Sequence, residues 1–193
     1  KHGVLLILDE VAVGFGRTGT LFACEQEAVS PDFLCIAKGL TGGYLPLAAT
    51  LTTDEIYSAF LGRAEEGRTF FHGHTYTGNP LGCAVSLASL ELLQSRTLPE
   101  LAPKIERLKD HADRLRELPH VGDVRQRGLL LGIELTLAGA AKRVCREARE
   151  RGVLIRPLRD VVVVMPILAI EDSLLERLLE VVYNSIRDLE SKA

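Results

Sequence analysis

The stretch Leu5-Leu6-Ile7-Leu8-Asp9-Glu10 constrains the fold of this chain most strongly. An apolar run that ends in an acid has the pattern of a buried parallel strand with a carboxylate at its C-terminal edge. That edge is where open α/β sheets bind ligands. Lys38 repeats the arrangement 29 positions after Asp9 (38 minus 9): it follows the apolar run Phe33 to Ala37 and precedes Gly39 and Gly42-Gly43. The two strand ends are expected to deliver one acid and one amine to a single crevice, with the amine placed for attack on a carbonyl.

An acid and an amine so placed suit pyridoxal phosphate chemistry, in which the amine forms a Schiff base with the aldehyde and the acid pairs with the pyridine nitrogen. Further motifs carry a resemblance. Asp9-Glu10-Val11, Gly14-Phe15-Gly16-Arg17-Thr18-Gly19, Pro31-Asp32-Phe33, Ala37-Lys38-Gly39 and the run from Phe71 through His74-Thr75 to Asn79-Pro80-Leu81 occur in fixed order. In order and spacing they resemble the class III (ω-type) pyridoxal phosphate aminotransferases, from about Gly3 to the last helix. Phe71-His72-Gly73, Gly152-Val153-Leu154-Ile155-Arg156-Pro157-Leu158 and Met165-Pro166 narrow the resemblance. They point to the branch that aminates 8-amino-7-oxononanoate to 7,8-diaminononanoate in biotin synthesis, with S-adenosylmethionine or lysine as donor. Relatives acting on ornithine, 4-aminobutyrate, β-alanine or a diamine are the alternative.

The resemblance implies an α/β fold, the C-terminal part of a fold-type I pyridoxal-phosphate-dependent transferase. Residues 1–95 would be the remainder of the mixed-sheet, cofactor-binding large domain, and residues 96–193 the small α+β C-terminal domain. The half outside this chain would carry the main phosphate loop and the aromatic residue that stacks on the ring, so the chain alone is expected to bind cofactor poorly. Lys38 would be the catalytic lysine, holding the cofactor and then shuttling the proton. Asp9 would keep the pyridine nitrogen protonated, while Glu10 orients neighbours. His74 and Thr75 would reach the cofactor phosphate of a partner subunit, which implies a homodimer with shared sites. Gly73 and Arg156 would contact substrate, the Arg156 guanidinium taking the keto acid's carboxylate.

Blander readings stand beside these. Four apolar residues before Asp-Glu also match the Walker B strand of nucleoside triphosphatases, although no G-x-x-x-x-G-K-[ST] loop is present. Gly14 to Gly19 fits G-x-G-x-x-G, a weak signal alone, and Arg17 reads as a structural ion pair. His72 and His74 at i, i+2 without a third ligand do not make a metal site. Tyr44 is a candidate pocket wall. Arg125 and Arg127 flank an expected turn and have no assigned role.

Net charge is −3, from 23 basic and 26 acidic residues, with no long basic block, which disfavours nucleic-acid or anionic-membrane partners. No apolar run is long enough to span a bilayer. Cys24, Cys35, Cys83 and Cys145 are widely spaced without a C-x-x-C pair, so a reducing cytoplasm is the expected compartment.

Strands are expected at Val4–Leu8, Phe33–Ala37, Leu47–Leu51, Gly128–Leu135, Val153–Ile155 and Val161–Met165. Helices are expected at Asp54–Leu61, from Asn79-Pro80 to about Gln94, Pro99–Leu118, Ala140–Arg151 and Asp172 to about Leu189. The Asn79 helix, rich in small residues, reads as buried against a sheet or another subunit.

Overall fold

The computed structural model describes residues 2–189; Lys1 and residues 190–193, which the domain reading also took in, lie outside the described part. The chain divides into two units. One comprises the residues up to Gly16 together with Thr20–Arg96, the other Arg17–Gly19 together with the residues from Thr97 on.

The first unit is built on a three-stranded sheet of order β1-β2-β3: β1 (Ile7–Asp9), β2 (Phe33–Ile36) and β3 (Ala49–Thr52). β1 and β2 run parallel and β3 antiparallel to β2, so the sheet is mixed. Two helices follow. In α1 (Asp54–Ala59) the Thr53 hydroxyl accepts from the Ile56 N–H at 3.4 Å, and in α2 (Pro80–Leu92) Asn79 Oδ1 accepts from Leu81 and Gly82 N–H at 2.9 and 3.4 Å. Side-chain caps of this kind satisfy N–H groups that a helix start leaves without partners. α2 continues into a π-helical turn, Leu93–Thr97.

Two elements lie open in this chain. The first strand is short and not buried: Val4 and Ile7 are 82% and 63% exposed. β1 has one strand neighbour, and among the described residues no second layer covers it. α2 is mostly exposed as well, with only Gly82 and Ser86 buried along it.

The second unit has a four-stranded antiparallel sheet of order β4-β5-β7-β6: β4 (Val121–Arg127), β5 (Leu130–Leu135), β6 (Arg156–Leu158) and β7 (Val161–Val164). Three helices, α3 (Leu101–Arg116), α4 (Ala140–Glu150) and α5 (Asp172–Arg187), contribute to one apolar cluster with it. Alternation along β5 sends Leu131, Ile133 and Leu135 inward, and β7 adds Val162 and Val164. Leu108 and Leu115 of α3, Val144 of α4 and Leu175, Leu179, Val182 and Ile186 of α5 close the cluster at helical spacing.

The turn expected at Leu118–Asp123 ends at His120, and β4 takes its last three residues. It is an edge strand whose exposed positions are polar, Asp123, Arg125 and Arg127, so only Val124 is buried and the apolar signal is thin. Arg125 therefore lies in a strand, where it pairs with Glu134 at 2.8 Å and Asp123 at 3.4 Å. The hairpin from β4 to β5 turns at Gly128, whose φ is +55°; a Cβ there would lie 2.4 Å from the Thr18 carbonyl carbon, so only glycine fits. Val153 does not form a strand because it finishes α4: its N–H donates to Ala148 O at 2.8 Å after left-handed Gly152. The strand begins instead at Arg156, which pairs with Val163.

Candidate functional site

The parallel register of β1 and β2 sets Asp9 opposite Cys35, and the Glu10 N–H extends the ladder to Cys35 O at 2.9 Å. Lys38 follows Cys35 by three positions (38 minus 35), so the acid and the amine leave the sheet at the same C-terminal edge. Both are exposed. Asp9 Oδ1 accepts the Val11 N–H at 3.0 Å, while the Lys38 ammonium has no hydrogen-bond or ion-pair partner among the described residues.

Lys38 is held in the left-handed region, φ +44°. For a residue with a Cβ this conformation costs on the order of 1–3 kcal/mol and persists only where its surroundings impose it. Those surroundings are visible. Lys38 opens a 3-10 turn, Lys38–Thr41, whose Leu40 and Thr41 are buried, and the Thr41 hydroxyl donates to Leu45 O at 2.6 Å. At Gly39 a Cβ would sit 2.7 Å from the Phe15 Cβ, so the turn presses directly on that ring. Phe15, 2% exposed, packs edge-to-face on Phe22 with centroids 5.4 Å apart. α2 packs on the other side of the turn, and Ser89 Oγ donates to Gly39 O at 3.3 Å. Sequence reading singled out Lys38 but not Phe15 or Ser89. The glycine after the lysine was the available sign of a close approach.

Glu10 has the opposite fate to Asp9. It is 3% exposed, and its two carboxylate oxygens accept the Ala23 and Cys24 N–H groups, each at 2.7 Å. Burial, then the hydrogen bond to Glu10, push the Cys24 thiol above its ordinary pKa. With a backbone donor on each oxygen, Glu10 is tied into the loop that follows the strand, in keeping with a residue that orients its neighbours.

Gly73, His74 and Thr75 lie in the exposed stretch before α2. The segment is tied by its own bonds: the Tyr76 N–H donates to His74 Nδ1 at 3.1 Å, the His74 N–H to Thr77 Oγ1 at 3.0 Å, and the Thr77 N–H to His74 O at 3.0 Å. His74 thus shapes the turn, and the Thr75 hydroxyl has no partner among the described residues. A Cβ at Gly73 would make only ordinary contact, 3.6 Å from Thr77 Oγ1. Tyr44 is 85% exposed.

Arg156 belongs to the second unit. It is exposed at the start of β6, on the rim of an open depression of about 440 Å³ that is otherwise apolar, lined by Leu154, Ile155, Val163, Met165 and Leu178. Arg17, in the same unit, makes no ion pair among the described residues. Its Nη1 instead donates to Pro166 O at 2.6 Å and Leu129 O at 3.3 Å, and burial lowers its pKa. The expected ion pair is therefore a strut between backbone carbonyls.

One group that the sequence did not suggest is His111 with Glu176 and Glu180, whose ligand atoms lie within 4.8 Å of one another. Arg114 Nη1 sits 2.6 Å from Glu180 and 3.4 Å from His111 Nδ1, and Arg107 approaches Glu176 at 3.9 Å. The carboxylates are already matched by guanidinium groups, and the cluster ties α3 to α5.

A family model described as aminotransferase class-III matches residues 1–186. The adenosylmethionine-8-amino-7-oxononanoate aminotransferase of Nitratidesulfovibrio vulgaris is 54% identical over 198 residues, covering 96% of this chain and 36% of the relative. Among solved structures, the enzyme of that name from Methanocaldococcus jannaschii superposes with a TM-score of 0.90 at 45% identity, over 96% of this chain and 46% of the other. A PLP-bound amine transaminase from an uncultivated Pseudomonas species gives 0.87 at 34% identity, over 96% and 45%. The chain spans less than half the length of each of these relatives. On the strength of a match that runs through both units, the chain belongs to the class III aminotransferase family.

Proposed function

We propose that this chain is the lysine-bearing part of a pyridoxal-phosphate-dependent enzyme. That enzyme transfers an amino group from S-adenosylmethionine to 8-amino-7-oxononanoate, giving the 7,8-diaminononanoate of biotin synthesis. One observation carries the reading: two adjacent parallel strands bring an exposed acid, Asp9, and a strained, unpartnered lysine, Lys38, to one edge. The relatives' names support the substrate pair. Within this reading residues 1–95 are the remainder of the cofactor-binding large domain and residues 96–193 the small domain.

The residues present fit the cofactor by the chemistry of their donors. Bound pyridoxal phosphate supplies an electron sink for the bond broken at the amino-bearing carbon. Asp9 offers a carboxylate whose Oδ2 has no partner among the described residues, suited to holding the proton of a ring nitrogen. Lys38 Nζ, with no competing acid, takes the proton from the substrate carbon and returns it during transfer. Thr75 offers an unengaged hydroxyl to a phosphate oxygen, and His74 braces the turn that presents it. This pair would serve the neighbouring subunit of a homodimer. Gly73 beside them leaves room for substrate. Arg156 places one guanidinium on an apolar rim, a match for a carboxylate at the end of an aliphatic chain. The compartment in this reading is the cytoplasm; among the described residues no helix is long and apolar enough to cross a membrane, and the four cysteines are free.

Borohydride reduction of the complete enzyme tests the central assignment. Cofactor should be fixed to the peptide containing Lys38, and label on another lysine would end the proposal. A second reading, an amine transaminase of broader scope, is favoured by the solved relative at 34% identity. Turnover of simple amines without 8-amino-7-oxononanoate would select it.

A further inference from the structure

We infer that Glu10 is a positioning residue: its buried carboxylate, locked on the backbone N–H groups of Ala23 and Cys24, fixes the direction in which the Asp9 carboxylate leaves the sheet. The inference rests on the reading of Asp9 as the partner of the cofactor's ring nitrogen.

Glu10 is held at every polar group. Its N–H donates to Cys35 O at 2.9 Å, its carbonyl accepts the Gly14 N–H at 2.9 Å, and each carboxylate oxygen takes one backbone N–H at 2.7 Å. Charge-assisted hydrogen bonds of that length are the stronger kind, and a backbone donor on each oxygen fixes the plane of the carboxylate. The close turn after it admits no slack, since a Cβ at Gly14 would meet Glu10 O at 2.8 Å.

Successive side chains of a strand point to opposite faces. With Glu10 pinned inward at 3% exposure, Asp9 is directed to the other side, where the Val11 N–H takes Oδ1. The adjacent acids thus divide the work. One carboxylate is spent on the protein so that the other is presented in a single orientation. A strand end with only Asp9 would be free to twist about its last ladder bond, and the carboxylate would sweep with it.

Two substitutions in the complete, cofactor-loaded enzyme separate this role from general support of the fold. Glu10→Gln keeps the size but turns an amide N–H towards one of the two backbone donors. Ala23→Pro keeps Glu10 and deletes one donor. It suits the backbone, because Phe22 already has the extended conformation that precedes proline (φ −123°, ψ 145°) and Ala23 is the first residue of its 3-10 turn. The readouts are the pH titration of the bound cofactor's visible absorption band, turnover and melting temperature, with Asp9→Asn as benchmark.

Glu10→Gln and Ala23→Pro are each expected to move the titration in the direction of Asp9→Asn and to slow turnover about tenfold, as loss of one charge-assisted hydrogen bond would. If both keep the wild-type titration and turnover while melting earlier, Glu10 only supports the fold and the inference is overturned. If Asp9→Asn itself keeps the wild-type titration, the Asp9 reading fails first, and the benchmark reports that separately. Should Glu10→Gln not fold, Ala23→Pro decides alone.

Discussion

Ile133, Val162 and Leu179 in the second unit are at most 1% exposed, whereas Val4, Ile7 and Leu87 in the first are 82%, 63% and 71% exposed. The side chains are of the same kind, and both units have a sheet and helices. The difference lies in the layers. Three helices and a four-stranded sheet give the second unit one closed apolar cluster, which holds every member of the principal core. The first unit has a three-stranded sheet and one helix longer than two turns, and buries little beyond Phe15, Ile36, Leu40 and Leu93. An apolar face needs a second layer before it becomes a core. The unit that hides least carries Asp9 and Lys38, and the unit that hides most carries Arg156 on its rim.

The comparison divides the effects of substitution between chemistry and stability. The largest is expected at Lys38. In the complete enzyme Lys38→Ala should cut turnover by at least the 10²–10⁴-fold typical of a positioned proton carrier, with little change in melting temperature. A large loss of stability instead would make Lys38 structural. Next comes the buried cluster. Leu179→Ala should cost about 2–5 kcal/mol in urea unfolding, while Ile7→Ala should stay within about 0.5 kcal/mol in this chain. Equal costs would erase the contrast between the units.

A smaller effect is expected at Arg156. Arg156→Ala should weaken use of the keto acid by roughly 1.5–3 kcal/mol through loss of a charged partner, leaving the cofactor's absorption intact; normal use of the acid would remove Arg156 from the site. The smallest concerns Glu180, whose carboxyl lies below the ordinary range chiefly because Arg114 donates to it. A depressed acid contributes stability above its unfolded pKa and loses it as pH falls through the folded value. The pair is exposed, so Glu180→Gln should cost only about 0.2–1 kcal/mol at pH 7. The cost should fade as pH drops below about 4.3, the unperturbed value for Glu. A cost that persists there would assign the effect to packing.

Much of this was legible in the residues. Asp9 and Lys38 could be placed at strand ends because each follows an apolar run, and the Asn79 cap followed from Asn-Pro. The limits of the second-unit helices came from apolar spacing in α3 and α5. Two things were hidden. β4 alternates polar residues at a sheet edge and buries one valine, so hydrophobic period carries almost no signal. The partners of Arg17 are carbonyls, and carbonyls belong to every residue, so nothing in a sequence marks which ones will be used.

Arg17–Gly19 also has a consequence for how the molecule can be made. These three residues belong to the second unit although both flanks belong to the first. The Leu129 N–H donates to Arg17 O at 3.0 Å, and the bonds from the Arg17 side chain to Leu129 and Pro166 close gaps of 112 and 149 residues. During synthesis the strut is therefore translated long before the carbonyls it holds. The second unit cannot be completed until its last strands have emerged, and loops of that length close slowly. A gene cut between Arg96 and Thr97 would not release it whole. The piece would lack its strut, and the Leu129 N–H and the Leu129 and Pro166 carbonyls would turn to water.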